Sequence, residues 1–235
     1  MFTIIKVINA FNYDNNLADE RCLIIASKNG MIKRTLVKDL GISKLTKIST
    51  VMNLDPNDLV CSCVISNKTT DDKELIGTVT KSGMGLFYLS NQVSIVGRNA
   101  SGVKNVSLRD NDEVSAIFID DASKEFILIA CKQGMKRIHR ELFIQGNRGN
   151  VGKSLISQIK SNPYEVINAF EVNMNDMINN TSFDGVWSLV KSSEVVIGDG
   201  DTRVSPVKNK HSISVTKTDI MADISANGEE SLFDK

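Results

Sequence analysis

The chain has 235 residues, of which 28 are basic and 28 acidic, so its formal net charge at pH 7 is zero. A neutral chain does not attract a polyanion as a whole, so a nucleic-acid partner would require a local cluster of charge. No apolar run approaches the roughly 18–20 residues of a membrane span, and the first residues do not form a secretory signal. The four cysteines lie in apolar stretches, which favours buried thiols in a reducing cytoplasm over a disulfide framework.

One short phrase, lysine followed by any residue, glycine and methionine, occurs three times. It begins at Lys28, Lys81 and Lys132, and each copy follows an apolar run. Its glycines, at positions 30, 83 and 134, are 53 and then 51 residues apart. A fixed period of about 50 residues predicts a repeat architecture.

Short apolar runs, broken by Gly, Asn, Asp and Ser, predict short β-strands throughout the chain. In the middle repeat the predicted strands lie near 74–80, 84–89, 103–108 and 114–119, with a tight hairpin at the repeated phrase and a polar turn at 109–112. We therefore predict an all-β, propeller-like array of four-stranded blades, with about four repeats of ~50 residues plus an N-terminal part-blade. A β-sandwich is the alternative, but it would not need the same turn three times.

The two ends of the chain follow the repeat less closely. Residues 6–11 nearly copy residues 165–170 at the end of the third repeat, so the chain is expected to begin within a repeat. The pattern weakens after 172, where further strands are expected to supply a fourth blade. We expect residues 1–224 to form the propeller-like domain and residues 225–235 to form an acidic, disordered tail.

Basic residues concentrate in matching parts of successive repeats, namely the first hairpin and the long loop after it. Residues 28–47 contain six basic residues against one acid, residues 132–160 contain seven against one, and residues 90–109 contain no acid. In a radial array matching parts lie on the same rim, which predicts a basic track for phosphate groups. The residues predicted to bind the phosphates are Lys33, Arg34, Arg98, Lys104, Lys136, Arg137, Arg140, Arg148 and Lys153.

Two loops share a second pattern, in which small residues surround an arginine. They span 97–103, with Arg98, and 146–153, with Arg148. Small residues allow a partner's backbone to approach, so that exposed amides and the guanidinium can reach phosphate oxygens. A flexible connection between blades is the alternative interpretation.

Motifs for other chemistry are weak in this sequence. Residues 147–154 end like a phosphate-binding P-loop, but Asn147 stands where the first glycine is required. Cys61 and Cys63 have no second pair to complete a zinc site, and residues 199–201 are interpreted as a hairpin turn rather than a calcium loop. Trp187 is expected in the core. We therefore predict no catalytic, metal or cofactor site.

Three segments in sequence resemble one known family. They are Lys-Asn-Gly-Met-Ile-Lys-Arg-Thr at 28–35, Gly-Arg-Asn-Ala-Ser-Gly-Val at 97–103 and Leu-Arg-Asp-Asn-Asp-Glu-Val at 108–114. These segments are similar to the C-terminal domain of the A subunit of bacterial type IIA topoisomerases, and the resemblance extends over about residues 1–172. It implies a β-pinwheel, a propeller-like disc whose blades exchange strands, with a basic rim that binds and bends DNA.

Within this family the chain resembles the topoisomerase IV branch of Gram-positive bacteria and mollicutes more than gyrase. The gyrase wrapping box, Gln-Arg-Arg-Gly-Gly-Lys-Gly, has its nearest match at 145–153, which lacks the paired arginines. The resemblance implies a non-catalytic domain without cofactor or metal, because the strand-cleaving tyrosine lies in another region of the full protein. It also implies a cytoplasmic, nucleoid-associated protein without a membrane partner.

The resemblance further implies a role in decatenation and supercoil relaxation by a full ATP-dependent enzyme. Its partners would be double-stranded DNA, a second A subunit, plus the ATPase B subunit, with ATP and magnesium used elsewhere in the assembly. A propeller that binds another protein is the alternative of a different class, and it would show weak salt dependence and an exposed apolar patch. An enzyme would need a deep polar pocket with perturbed acids.

Overall fold

Short antiparallel strands are the main regular elements of the structure, a computed structural model in which residues 8–10, 20–40, 50–66, 73–206 and 211–218 are described. Their apolar runs are buried on both faces, as in β1, where all six residues are buried. The strands are β1 (Cys22–Ser27), β2 (Met31–Leu36), β3 (Val60–Ser66), β4 (Leu75–Thr80), β5 (Met84–Leu89), β6 (Val103–Lys104), β7 (Val114–Ile119), β8 (Phe126–Cys131), β9 (Gly134–His139), β10 (Lys153–Ser154), β11 (Val166–Val172), β12 (Met177–Ser182), β13 (Trp187–Lys191) and β14 (Ser212–Thr218). Short 3₁₀ turns lie at Val37–Leu40, Ser90–Gln92, Arg140–Leu142 and Ser192–Glu194.

The strands form four sheets, with orders β3-β1-β2-β6, β10-β5-β4-β7, β11-β8-β9 and β13-β12-β14. Each sheet contains one hairpin, and the repeated phrase supplies the turn in the first three. Gly30 and Gly83 have φ of +85° and +86°, which glycine adopts without steric cost. In the third hairpin Cys131 pairs with Gly134, so this turn is shorter and Lys136 occupies the position that Lys33 has in the first sheet. The all-β, propeller-like prediction is confirmed.

The fourth strand of a sheet comes from the next repeat. β6 pairs with β2, and β10 pairs with β5, while Ser205 forms a bridge to Met135 in β9. The strands predicted near 103–108 and 114–119, on either side of the turn at 109–112, therefore do not form a hairpin. The chain bends at Asn111, whose φ is +61°, but β6 joins the preceding sheet and β7 joins its own. Each sheet is thus tied to its successor by backbone hydrogen bonds.

These connections place one stretch of chain along the outer edge of each of the first three sheets. Parallel bridges join Arg34 to Ile95, Phe87 to Gln145 and Arg137 to Ile197 at one end. At its other end, each stretch is joined to the same sheet by the pairs β2–β6 and β5–β10 and by the bridge from Met135 to Ser205. We call residues 95–104, 145–154 and 197–205 the first, second and third outer segments.

Close contact between an outer segment and its sheet requires a glycine on one side. A Cβ at Gly102, which has φ of +92°, would lie 2.3 Å from the carbonyl oxygen of Ile32. In the third segment Val204 stands at the corresponding place, and the glycine is in the sheet instead. A Cβ at Gly134 would lie 2.2 Å from the carbonyl oxygen of Ser205. The backbones can therefore approach in both cases.

Strands β3, β7, β11 and β14 pack side by side on the inner edges of the sheets and line a cavity of about 450 Å³. The side-chain nitrogen of Asn9 donates to the carbonyl oxygen of Cys63 at 3.0 Å. The side-chain nitrogen of Asn168 donates in the same way to the carbonyl oxygen of Val215 at 2.8 Å. This equivalence explains why residues 6–11 copy residues 165–170. The described part of that segment, 8–10, lies beside β3 as the inner strand of a preceding blade would.

Three hydrophobic clusters fill the spaces between neighbouring sheets, so each sheet is stabilised by the next. Burying one large aliphatic side chain contributes about 1.5–3 kcal/mol. The fourth sheet, expected from the weakened pattern after 172, is present with β12, β13 and β14. The predicted tail at 225–235 and the boundary at 224 lie outside the described residues.

Candidate nucleic-acid interface

Two Lys-Arg pairs that the sequence predicted on the rim are buried between blades. Lys33 and Arg34 lie in β2, and Lys136 and Arg137 lie at the equivalent places in β9. The exposed fractions of these four residues are 0%, 6%, 1% and 2%, in that order. None of them is positioned to meet an incoming phosphate.

The Lys33 ammonium is surrounded by backbone carbonyls. It donates to the carbonyl oxygens of Val51, Gly97 and Arg98 at 2.8 Å each, and it lies 3.4 Å from that of Ala100. Hydrogen bonds from a charged donor are the stronger kind, and here they replace the water lost on burial. Burial lowers the pKa of Lys33. This side chain therefore fixes the first outer segment to the first sheet.

Lys136 holds the third outer segment in the same way. Its ammonium donates to the carbonyl oxygens of Asp199 and Thr202 at 2.6 and 2.9 Å, and to the Thr202 hydroxyl at 3.1 Å. Burial lowers the pKa of Lys136 to about 8, an effect opposed by Cys131, Asp201 and Asp199. The third segment is therefore fixed to the third sheet by the same kind of contact.

The neighbouring arginines bind the chain just before the same segments. The Arg34 Nε donates to the carbonyl oxygen of Val93 at 2.6 Å, and the Arg137 Nε donates to that of Val195 at 2.8 Å. The Arg137 guanidinium also lies 4.7 Å from the centre of the Phe126 ring, a cation–π contact. These arginines therefore join one blade to the next.

The junction between the second sheet and the second outer segment, here called the middle junction, has apolar residues at the equivalent places. Leu86 and Phe87 replace the Lys-Arg pair, and Phe87 stacks on Phe143 with ring centres 4.6 Å apart. Phe118 meets both rings edge-on at 5.7 and 5.9 Å. An apolar contact and a charged one can thus connect blades of the same shape.

Arg140 is also engaged within the protein. Its guanidinium forms a two-point ion pair with Asp120, whose side chain is only 7% exposed. Glu171 accepts two hydrogen bonds from the backbone amide of Asp121 at 2.8 Å, and burial raises the pKa of Glu171 to about 8. Arg140 is therefore the counter-ion of a buried acidic cluster.

The other four predicted residues lie on the outer segments. Arg98 and Lys104 belong to the first segment, and Arg148 and Lys153 belong to the second. Both lysines are exposed, and both arginines are half-buried. Neither segment contains an acidic residue.

A direct contact joins these two segments. The Arg148 guanidinium donates to the backbone carbonyl oxygens of Gln92, at 2.9 Å, and of Lys104. The amide of Gly149 donates to the carbonyl oxygen of Asn105 at 2.7 Å. The structure therefore joins two segments that contain no acidic residue into one surface from two blades.

The third outer segment has the opposite charge. It contains Asp199 and Asp201 against Arg203, all three at exposed or half-exposed positions. The basic surface formed by the first two segments therefore does not continue along the third. The turn predicted at 199–201 is present, with the Thr202 amide donating to the Asp199 carbonyl oxygen at 3.1 Å.

The lysines of the repeated phrase lie at the hairpin turns and pair with glutamates next to the inner strands. Lys28 lies 3.4 Å from Glu113, and Lys81 lies 3.6 Å from Glu165. Lys132 also contacts Glu165, at 2.5 Å. Such surface pairs contribute up to about 1 kcal/mol each.

The fourth sheet exposes several large apolar side chains. Trp187, expected in the core, is 54% exposed, because within the described structure β13 has a partner strand on one side and none on its outer edge. Its exposed neighbours include Phe183, Val186 and Leu189.

The described ranges contain neither a membrane-spanning helix nor a metal-binding cluster. No helix within them is long and apolar enough to cross a membrane. The same ranges hold no group of three or more His, Cys, Asp or Glu side chains placed to bind a metal ion.

Comparison with known proteins agrees with the resemblance seen in the sequence. The family model described as DNA gyrase C-terminal domain, beta-propeller, matches residues 23–67 and 78–119. The A subunit of DNA topoisomerase 4 from Staphylococcus epidermidis is 28% identical over 162 residues, which are 69% of this chain and 20% of that protein. Its counterpart from Bacillus subtilis is 27% identical over 168 residues, 72% of this chain and 20% of that protein. The chain thus spans about a fifth of the length of these curated relatives.

Two solved structures share the fold. The C-terminal domain of DNA topoisomerase IV superposes with a TM-score of 0.78 at 23% identity, covering 87% of this chain and 64% of that one. The DNA gyrase A C-terminal domain gives 0.74 at 21% identity, covering 87% and 68%. The predicted β-pinwheel is therefore confirmed.

Proposed function

We propose, from the premise that this chain is a homologue of the C-terminal domains of topoisomerase A subunits, that it is a DNA-binding and DNA-bending domain without catalysis of its own. Its ligand would be the phosphate backbone of duplex DNA. The supporting observation is the surface of the first two outer segments, which contain no acidic residue and are joined by the contact from Arg148 to Lys104. Such a surface replaces condensed counterions with fixed cations.

The contact residues proposed from the structure are fewer than those predicted from the sequence. Lys33, Arg34, Lys136 and Arg137 are buried supports, and Arg140 is paired with Asp120, so all five are left out. The remaining side chains are Arg98, Lys104, Arg148 and Lys153. They present no paired donors and acceptors for base edges, so binding should depend little on DNA sequence.

For the full enzyme we propose the role that the names of the relatives suggest. In a topoisomerase IV, the bent DNA would be presented to the cleavage region, in support of decatenation and supercoil relaxation in the cytoplasm. Its partners there would be a second A subunit, plus the ATPase B subunit, while ATP and magnesium would be used outside this domain. A gyrase-like role is the alternative within the family.

A propeller that binds another protein is the second candidate. The exposed apolar side chains around Trp187 and the unpaired outer edge of β13 in the described structure favour it. Binding through this edge would depend little on salt, in contrast to binding through the outer segments.

Titration with a short DNA duplex at several salt concentrations separates these candidates. Four neutralised phosphates predict a log–log slope of affinity against salt of about −4. The variant R98Q/K104Q should lower the magnitude of the slope by about 2, because two of the cations are removed. As a control, K160Q/K191Q removes two exposed lysines outside the outer segments and should leave the slope unchanged. Absence of binding at low salt would contradict the proposed function.

A further inference from the structure

The turn at residues 97–100 directs two backbone amides away from the protein. The carbonyl oxygens of Gly97 and Arg98 both accept hydrogen bonds from the buried Lys33 ammonium. In a trans peptide the N–H group points opposite to the carbonyl, and the described chain has no cis peptide bond. The amides of Arg98 and Asn99 therefore point away from Lys33, toward the side where Asn99 is exposed.

Within the described ranges, both amides lack an acceptor in the protein. Among the described residues, neither the Arg98 amide nor the Asn99 amide donates to an acceptor of the protein. Adjacent amides that point the same way attract an anion, as they do at the first turn of a helix. The Arg98 guanidinium starts from the same turn and adds a positive charge, and its Nη1 donates to the carbonyl oxygen of Leu40 at 3.3 Å.

The buried ammonium strengthens this arrangement. Lys33 forms no ion pair with any carboxylate among the described residues, so its charge is compensated by carbonyl oxygens alone. A cation at the oxygen end of a peptide group polarises that group and makes its N–H a better donor. The positive charge of Lys33 thus makes the N–H groups of Arg98 and Asn99, which point away from it, better donors to an anion.

We propose that the amides of Arg98 and Asn99, together with the Arg98 guanidinium, form a binding site for one phosphate group of a DNA backbone, with Lys33 as its positioning residue. This site rests on the proposed function and adds to it a contact made by the backbone. Free inorganic phosphate has the same oxyanion chemistry and is the second source to be tested.

Neither of the two related turns has all parts of the site, and the one at 147–150 also has Leu86 in place of the buried lysine. In the turn at 147–150, the amide of Arg148 donates to the Gln92 side-chain oxygen at 2.8 Å and that of Gly149 to the Asn105 carbonyl at 2.7 Å. In the turn at 199–202, Lys136 binds the carbonyls of the first and last residues, and the turn carries Asp199 and Asp201, which repel a phosphate.

The direct test follows the amide protons of Arg98 and Asn99 by NMR during titration with a short duplex and, separately, with inorganic phosphate. Both amide protons should move downfield with the duplex. A weaker shift in the same direction with inorganic phosphate identifies the oxyanion as the ligand. If the duplex binds and these two amides do not move, the site is overturned while the proposed function stands. If the duplex does not bind at all, the proposed function fails first.

A matched pair of lysine variants tests the role of the buried ammonium. K33M should weaken duplex binding by about tenfold, because both amide contacts are lost. K136M removes an equally buried ammonium from the acidic turn and should change affinity by less than about twofold. Equal losses in the two variants would show a general structural effect and would overturn the positioning role.

A second pair keeps the test valid if K33M does not fold. The Ala100 amide donates to the Gly97 carbonyl, so Arg98 occupies the second position of a β-turn, where proline is accepted. R98A removes the guanidinium and keeps the amide, whereas R98P removes both. R98P should bind the duplex roughly fivefold more weakly than R98A. Equal affinities would overturn the contribution of the Arg98 amide.

Discussion

The turns at 97–100 and 199–202 have the same construction and opposite surface charge. In both, a buried lysine of the adjacent sheet binds the carbonyls at the first and last positions of the turn, and an arginine binds the chain just before it. The first turn then carries the half-buried Arg98 and no acid, while the other exposes Asp199 and Asp201. The comparison shows that the lysine and arginine belong to the fold, and that the neighbouring exposed residues decide what the turn can bind.

The middle junction supports this conclusion because it keeps the same structure without the Lys-Arg pair. Leu86 and Phe87 replace the Lys-Arg pair there, yet the second outer segment follows its sheet in the same way. The segment is held by Gly152, whose Cβ would lie 2.5 Å from the Gly85 carbonyl oxygen, and by the Phe87, Phe118 and Phe143 rings. Charge at these buried positions is therefore one of two ways to join blades.

Reversing the charge of the first segment should have the largest effect. R98E/K104E replaces two cations by two anions beside the free amides, so affinity for a short duplex at low salt should fall by more than about 100-fold. Filter binding or fluorescence anisotropy measures this change. The matched variant R203E alters an exposed arginine of the already acidic third segment, and a comparable loss in R203E would contradict the assignment of binding to the first two segments.

Removing the close contact of the first segment should have the next largest effect. G102A places a Cβ against the Ile32 backbone at φ of +92°, so the free energy of unfolding should fall by about 2–3 kcal/mol. G149A is the control, because Gly149 has φ of +85° but no atom within 4 Å of its Cβ. Urea denaturation compares the two, and an equal loss would show that backbone strain alone, without a steric clash, accounts for the change.

Neutralising the acidic turn should make it behave more like the first. D199N/D201N removes two carboxylates beside the carbonyl-bound Lys136, so duplex affinity should rise by about three- to tenfold. The magnitude of the salt slope should increase by about one. If affinity and slope both stay the same, carbonyl binding by a buried lysine is not sufficient to prepare a phosphate site.

The smallest effect concerns the protonation of Lys136. Its pKa is about 8 in the folded protein, below the ordinary lysine value of 10.5, so the unfolded chain binds more protons between these values. Stability should therefore rise with pH in this window, by about 1 kcal/mol from about pH 7.5 to about pH 9. The rise is measured by urea denaturation as the difference between the natural chain and K136M. Identical pH dependence in both proteins would mean that the ammonium is not perturbed by burial.

Much of the local structure could be predicted from the sequence. The predicted strands near 74–80, 84–89 and 114–119 correspond to β4, β5 and β7, because alternating turns and apolar runs are local signals. The tight turns at Gly30 and Gly83 follow from the same kind of signal. The pairing of β6 with β2 could not be derived from spacing, since β6 is only two residues long and its partner lies in another repeat. The exposure of Trp187 could not be derived from the sequence either, since it depends on whether another part of the chain covers the outer edge of β13.

The candidate site was predicted less well than the fold. Arg98 and Lys104 lie on the first outer segment, and their role in binding stays a prediction. Lys33 and Lys136 are buried, which the sequence could not reveal because the same residue type serves at the surface and in the interior. The amides of Arg98 and Asn99 had only an indirect signal, the small residues around an arginine in the loop at 97–103. The occupied amides in the loop at 146–153 carried the same signal, so this pattern alone does not distinguish them.

The sequence by itself determined the repeat, the hairpins and the regions where basic residues concentrate, since periodicity and turn chemistry act over a few residues. Only the tertiary structure decided which cations are buried, because the outer edge of each of the first three sheets is covered by chain from the next repeat. Burial forces an ammonium to bind carbonyls, and this contact turns the amides of the same peptides toward solvent.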